Sequence, residues 1–348
     1  HITLNVERIP IVQALKVAKC DDDQDGKLAF DTSSLQSQIL NGLTGVSVTY
    51  FDQNNNALPS PLPNPFITST QKIKVIVTNT TAAACFYESS IDFIVDDLPE
   101  AFAIPTSLTS ICDDEVDPKL QDGKFAFDTS SFQNTILGVQ TGMQVYYFDA
   151  NNNQLPSPLP NPFFTTTQEV RVEVVNPINP SCKAIVKIPF VVNPLPTITG
   201  TLNVCVGLTT TLTGSGSPAT TNPWVSSNPA FATVSSTGVV TGVAAGTTII
   251  TYTNSNGCQK TATVTVTPIP TVTVNSPVVC SGLSATVIAT AGAAGTYSYA
   301  WTVPSGFTNP GNVASFSTTV AGTYSVVITN ATGCSSLSAS GTVTVNTL

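Results

Sequence analysis

The chain is short of most of what an enzyme uses. Its 348 residues include one histidine, His1, and one methionine, Met143, and only 9% of residues are charged. Without a second histidine, the many Ser and Thr hydroxyls lack an imidazole base, and no GxSxG or SxxK pattern supplies another route to a nucleophile. No CxxC occurs, so a zinc site of Cys and His has no ligand set. Lys and Arg number 12 against 21 Asp and Glu, for a net charge of −9. Nucleic acid needs a basic footprint and a surface anchor needs a polybasic stretch, and neither is present. No run reaches the ~18 apolar residues of a membrane-spanning helix. The composition points away from catalysis, nucleic acid and membrane insertion.

What the chain does have is alternation. Val, Ile and Ala interleave with Thr and Ser at the period of half-buried strands, punctuated by 25 Pro and 22 Gly. The class read from this is all-β. Charge divides the chain in two: every acidic residue lies at or before Glu173, and from Pro196 to Leu348 the only charged residue is Lys260.

Cysteine and proline set the organisation. The eight cysteines, at 20, 85, 112, 182, 205, 258, 280 and 334, fall in order into four pairs. Apolar–Pro steps at Ile9-Pro10, Leu98-Pro99, Leu195-Pro196 and Ile269-Pro270 run in phase with them, each after an alternating segment. Proline cannot continue a ladder, so each step marks the end of a module's last strand. The expected fold is a tandem array of four Ig-like β-sandwich modules. Residues 1–9 read as the last strand of a preceding module, with Ile2, Leu4 and Val6 on one face. Residues 10–98 and 99–195 are two acidic repeats, 196–269 a third module and 270–348 a fourth. An even count suits one local disulfide per module in an oxidising compartment, giving Cys20–Cys85, Cys112–Cys182, Cys205–Cys258 and Cys280–Cys334. A bridge crossing a Pro boundary counts against that scheme.

Modules one and two are a direct repeat. Asp25–Val95 aligns without a gap to Asp122–Val192, and more than half of the positions are identical. Leu35 to Leu40 is expected to form a short helix capped by Ser33 or Ser34, with Gly42 beyond it. The Asn triplets 54–56 and 151–153 follow strand patterns and read as turns. In the neutral half, Thr209–Thr213, Gly246–Thr253 and Thr261–Thr267 read as strands. Trp224 and Trp301 each lie between paired cysteines, as in immunoglobulin-like sandwiches, and are expected in the cores. Modules three and four have no acidic residue, which excludes an isopeptide cross-link there.

Three resemblances follow. Val225-Ser226-Ser227-Asn228-Pro229, Thr237-Gly238-Val239-Val240 and Gly246 to Tyr252 resemble the bacterial Ig-like group 2 domain, over residues 196–269. Tyr299 to Gly306 and Ala321 to Val326 resemble PKD-like and Ig-like surface modules, over 270–348. The Cys-Asp-Asp-Asp, Asp-Gly and Phe-Asp stretches of modules one and two resemble repeats of giant Bacteroidota adhesins exported by type 9 secretion, the SprB-like gliding adhesin class. The resemblance implies an extracellular, cell-surface location and a stalk role in attachment or gliding. Neighbouring modules of the same chain are the expected partners, with surface polysaccharide or other cell-surface proteins as candidate ligands. Rival readings are lectin-like polysaccharide binding, or the accessory region of a secreted hydrolase.

One constellation carries chemistry. Cys20 is followed by Asp21-Asp22-Asp23-Gln24-Asp25-Gly26, carboxylates at alternate positions before a glycine, as in the first half of a calcium loop. The closing Glu of an EF-hand is replaced by Thr32. The candidate calcium ligands are Asp21, Asp23, Asp25 and Asp31 in module one, with Asp52 as a distant alternative. Asp113, Glu115, Asp122 and Asp128 hold the matching places in module two. Asp96, Asp97 and Glu100 flank the first junction. A solvated acidic loop is the competing explanation.

Overall fold

The computed structural model describes residues 6–114 and 118–347. The chain forms two compact units, His1–Val192 and Asn193–Leu348, each holding two separate hydrophobic cores.

Module one contains β1 (Leu15–Asp21), β2 (Leu28–Phe30), α1 (Leu35–Leu40), β3 (Val46–Phe51), β4 (Ala57–Leu58), β5 (Phe66–Thr68), β6 (Gln71–Asn79) and β7 (Phe86–Asp97). Five strands make one sheet in the order β1-β7-β6-β3-β4, and β2 pairs with β5 as a separate ribbon. Alternation builds the core. Strand β6 turns Ile73, Val75 and Val77 inward, and β7 adds Ile91 and Phe93, all fully buried. The opposite layer is α1, through Leu35 and Ile39 one turn apart, together with Phe30 of the ribbon. Phe30 meets Phe93 edge-on with centroids 4.8 Å apart.

The helix lies where its pattern predicts, with Ser34 at the N-cap and Gly42 just beyond its end. Ser34 occupies the N-cap without a side-chain cap bond, and Asn41, left-handed at φ 43°, ends the helix before Gly42 is reached. The short amide side chain of Asn tolerates that conformation.

Module two repeats the plan with β8 (Ser110–Cys112), β9 (Lys124–Phe127), α2 (Phe132–Leu137), β10 (Gln144–Phe148), β11 (Gln154–Leu155), β12 (Phe163–Thr166), β13 (Gln168–Val175) and β14 (Lys183–Asn193). Its sheet runs β11-β10-β13-β14-β8, beside the ribbon of β9 and β12. The Asn triplets are turns as expected, with Asn55 and Asn152 left-handed at φ 62° and 63°.

Module three is a two-sheet sandwich. One sheet orders β15 (Ile198–Gly200), β17 (Thr209–Gly214), β20 (Val239–Gly242) and β19 (Ala232–Val234). The other orders β16 (Asn203–Cys205), β22 (Gln259–Thr267), β21 (Gly246–Thr253) and β18 (Trp224–Ser226). Module four has β23 (Val272–Val274), β25 (Ala285–Ala291) and β27 (Ser315–Thr318) in one sheet. Its second sheet runs β24 (Val278–Cys280), β29 (Ala339–Asn346), β28 (Gly322–Asn330) and β26 (Tyr297–Thr302). Trp224 and Trp301 are buried in these cores; Trp224 packs on Tyr252, and the Trp301 indole donates to the Val313 carbonyl at 2.9 Å.

Strand ends agree with the proline marks: β7 stops at Asp97, β14 at Asn193 and β22 at Thr267, each one or two residues short of a proline step. Ile2 and Leu4, read as part of a strand closing a preceding module, lie outside the described residues, and Val6 to Ile9 form no strand. One feature is invisible in the alternation. The strand bearing each first cysteine runs parallel to the module's own last strand: β1 with β7, β16 with β22, β24 with β29. Strand β8 likewise borders β14.

Candidate functional site: the cysteine edges and the acidic loops

That parallel edge decides where the thiols go. Cys20 faces Asp96, Cys205 faces Thr267 and Cys280 faces Asn346, so each first cysteine lies at the finishing end of the last strand. Each second cysteine lies in the turn that starts the same strand. There the N–H of Asn79, Asn176, Asn254 or Asn330 donates to the carbonyl of Cys85, Cys182, Cys258 or Cys334, at 2.9 to 3.0 Å. In modules three and four the Asn side chain tightens the turn, accepting from Cys258 N–H at 3.0 Å and Cys334 N–H at 2.9 Å.

The two cysteines of one module are therefore at opposite ends of it. From Cys85 to the level of Cys20 is about eleven strand residues, or ~36 Å, whereas a disulfide needs its Cα atoms within ~7 Å. Local pairing is overturned on this geometry. Cys20 bonds Cys182 of the next module, with Cα atoms 5.4 Å apart, and Cys205 bonds Cys334, at 5.7 Å. Cys112 and Cys258 are disulfide-bonded as well, while Cys85 and Cys280 are free thiols. The two bridges cross the expected Pro boundaries, yet the modules stay distinct because each keeps its own core. Both bridges run in the same direction: the first cysteine of one module joins the second cysteine of the module after it. The missed signal was the Asn that precedes every second cysteine by four or six positions, which marks the hairpin turn.

Around Cys20–Cys182 the first junction is polar and paired. Asn179 Nδ2 donates to Asp96 Oδ2 at 2.9 Å, Asn176 Nδ2 to the Asp97 carbonyl at 3.0 Å, and Gln24 Nε2 to the Leu98 carbonyl at 3.4 Å. Glu100 is held through its backbone by Gln140, which accepts from its N–H and donates to its carbonyl.

The acidic loop begins directly after Cys20. Asp21, 3% exposed, accepts from Gln24 N–H on Oδ1 at 3.1 Å and from Gly26 N–H on Oδ2 at 2.8 Å. Asp23 and Asp25 accept from Asp25 N–H and Lys27 N–H. Carboxylate oxygens of Asp21, Asp23 and Asp25 lie within 4.8 Å of one another. In module two Asp113, 5% exposed, takes the Gly123 N–H on Oδ2 at 2.8 Å, and Asp122 takes the Lys124 N–H at 3.1 Å.

Asp31 and Asp128 do not join these groups. Each accepts from the hydroxyl and N–H of the serine two residues on, at the entry to α1 or α2. Those bonds, from Ser33 and Ser130, hold the carboxyls below the usual carboxylate range. Asp52 is likewise occupied by its own turn: the side chain and N–H of Asn56, then Asn54 N–H, hold it low. Asp149 repeats this with Asn153 and Asn151. Glu115 lies outside the described residues. The aromatics of module four face inward: Tyr297, Tyr299 and Phe307 pack on the core around Trp301.

Residues 16–99 and 108–196 match the family described as the Flavobacterium inter-domain disulphide bond domain, and residues 196–266 match the bacterial Ig-like domain, group 2. No curated protein matches the chain. Among solved structures, Sidekick-1 immunoglobulin domains 1–5 are similar at 13% identity over 96% of this chain and 79% of that one, with a TM-score of 0.26. The insect immune protein hemolin is similar at 11% identity over 97% and 100%, TM-score 0.26, and titin I67–I69 at 11% over 71% and 97%, TM-score 0.30. At such scores the fold assignment rests on the sheets and the two family matches. The chain is a tandem series of Ig-like modules with inter-module disulphides, the make-up of an extracellular region.

Proposed function

We propose that this chain is a stalk segment of a long bacterial cell-surface adhesin of the type 9-secreted, gliding-adhesin kind, whose modules are stapled in series to carry load. One observation carries the reading: the bridges join successive modules instead of closing each one. They enclose 162 and 129 residues. Tension applied to the chain ends passes through the sulfur atoms and bypasses the sequence between them. At ~3.5 Å per residue, roughly 1,000 Å of chain is thereby withheld from extension until the bridges break.

The free thiols fit the same series. Cys85 occupies the turn position that Cys182 has in module two, and Cys280 the edge position that Cys205 has in module three. They are the two complementary halves of the same link, directed at a preceding and a following module of like construction. The role is structural, with neighbouring modules as partners and no chemistry assigned to the chain.

Force spectroscopy tests this. Pulled from its ends in oxidising buffer, the chain lengthens by a small fraction of its contour, and a thiol reductant releases the roughly 1,000 Å. Full extension of the oxidised chain at low force contradicts the reading. Antibody labelling of intact parent cells checks surface exposure.

A further inference from the structure

We infer that the loop after the first cysteine of modules one and two is a calcium seat, formed by Asp21, Asp23 and Asp25 in the first and centred on Asp113 and Asp122 in the second. This holds whether or not the array is an adhesin stalk.

Three converging carboxylates alone would describe any acidic loop. The second copy supplies the independent observation. Asp113 corresponds to Asp21: each follows its half-cystine directly, and each accepts a glycine N–H on Oδ2 at 2.8 Å. Asp122 corresponds to Asp25, each followed by glycine and each accepting the N–H of the lysine two residues on. In module one the Oδ1 of Asp21 faces the loop and takes the Gln24 N–H. In module two the equivalent oxygen, Oδ1 of Asp113, is buried and has no hydrogen-bond donor among the described residues. A buried carboxylate oxygen without a donor is costly, and native proteins rarely leave one so. A cation removes that cost and also relieves the repulsion among Asp21, Asp23 and Asp25.

The donor set selects the ion. All donors are oxygens, borne on a short loop with left-handed residues at Gln24 and Gly26, and no imidazole or free thiolate is in the group. Calcium accepts such an irregular shell of six to eight oxygens, completed by backbone carbonyls and water, whereas magnesium demands near-ideal octahedral geometry. The position gives the ion a consequence. Asp21 is bonded in sequence to Cys20, the anchor of the inter-module bridge, and its backbone lies opposite Asp97 at the junction. Ion binding fixes the residue from which the staple springs.

The test is calorimetric titration of the full oxidised chain with CaCl2, and separately with MgCl2. Two saturable calcium sites are expected, with Kd of about 10⁻⁴ to 10⁻³ M, the range of extracellular modules, and magnesium binding at least about tenfold weaker. Asp25→Asn and Asp122→Asn change exposed carboxylates, so folding is retained; each should weaken one site about tenfold or more. Asp31→Asn and Asp128→Asn, outside the seats, should leave both sites intact. Calcium should also raise the melting temperature of the native chain but not of the doubly substituted Asp25→Asn, Asp122→Asn chain. No saturable binding up to about 10 mM calcium, or binding indifferent to both Asp25→Asn and Asp122→Asn, overturns the inference.

Discussion

The acidic and neutral halves reach the same linkage from different materials. Modules one and two cover a single five-stranded sheet with a helix and a ribbon and fill the space with phenylalanine. Modules three and four oppose two sheets around one tryptophan each, with Val and Ala making up most of the remainder. Yet in both halves the first cysteine ends a strand beside the last strand, and the second sits in an Asn-anchored turn at its start. Linkage geometry therefore follows from strand order and is indifferent to composition. Composition governs something else: which half carries the carboxylates that titrate with pH.

The largest effect that could break this comparison is loss of a staple. Cys20→Ser with Cys182→Ser frees a 162-residue loop, and Cys205→Ser with Cys334→Ser a 129-residue one. In the chain-entropy model each costs about 5 kcal/mol, so denaturant midpoints should fall by similar amounts in the two halves. Cys85→Ser and Cys280→Ser should change stability by less than about 0.5 kcal/mol, as for surface changes that remove no partner. Non-reducing peptide mapping checks the pairing itself; recovery of a Cys20–Cys85 peptide would refute it.

Core truncation comes next. Phe93 is fully buried between Phe30 and Phe66, and Phe190 between Phe127 and Phe163. Alanine at either should cost about 3–5 kcal/mol. Because the tryptophans lie only in the neutral half, indole fluorescence should report unchanged native packing there while circular dichroism records the loss. A matching loss of the indole signal would mean that the halves unfold as one.

A finer contrast concerns tyrosine hydroxyls. Tyr324 shares a hydrogen bond with Thr318 Oγ1 at 2.8 Å and donates to the Val320 carbonyl at 2.9 Å. Tyr324→Phe should cost about 1–2 kcal/mol. Tyr147 has a buried hydroxyl with no partner among the described residues, and desolvation pushes its pKa up to about 12. Tyr147→Phe should be neutral or slightly stabilising by thermal melting. Because burial disfavours the phenolate, the stability present below the ordinary value of 10 falls as pH climbs towards 12, a loss that Tyr147→Phe removes.

The smallest effect is acid sensitivity. Asp31, Asp52, Asp128 and Asp149 are held below the usual 3.8 by hydrogen bonds that favour the charged form. A lowered folded pKa adds stability that is present above 3.8 and lost as pH falls through the folded value. Acidification below about pH 4 should loosen modules one and two by circular dichroism. Indole fluorescence should stay constant, since no acidic side chain lies beyond Pro196. An equal acid shift in both signals would remove the distinction between the halves.

Much was legible in the residues because it is local. Alternation at Ile73, Val75 and Val77, proline at the strand ends, the Asn turns and the spacing of Leu35 and Ile39 each act within one element. The alternate carboxylates Asp21, Asp23 and Asp25 converge for the same reason: one short loop holds all three. Asp31 and Asp128 do not, because a helix entry two residues away takes their oxygens first.

Sequence by itself thus determined the strands, the repeat, the buried tryptophans and the two levels of charge. Tertiary structure alone decided the partners of the cysteines. Counting residues between two thiols measures chain length, not distance, and order along the chain suggested nearest neighbours. Once the first-cysteine strand lies parallel to the last strand, a module's two thiols stand ~36 Å apart at opposite ends of that strand. Each can then meet only a cysteine that an adjoining module brings to its end, the first cysteine that of the module after and the second that of the module before.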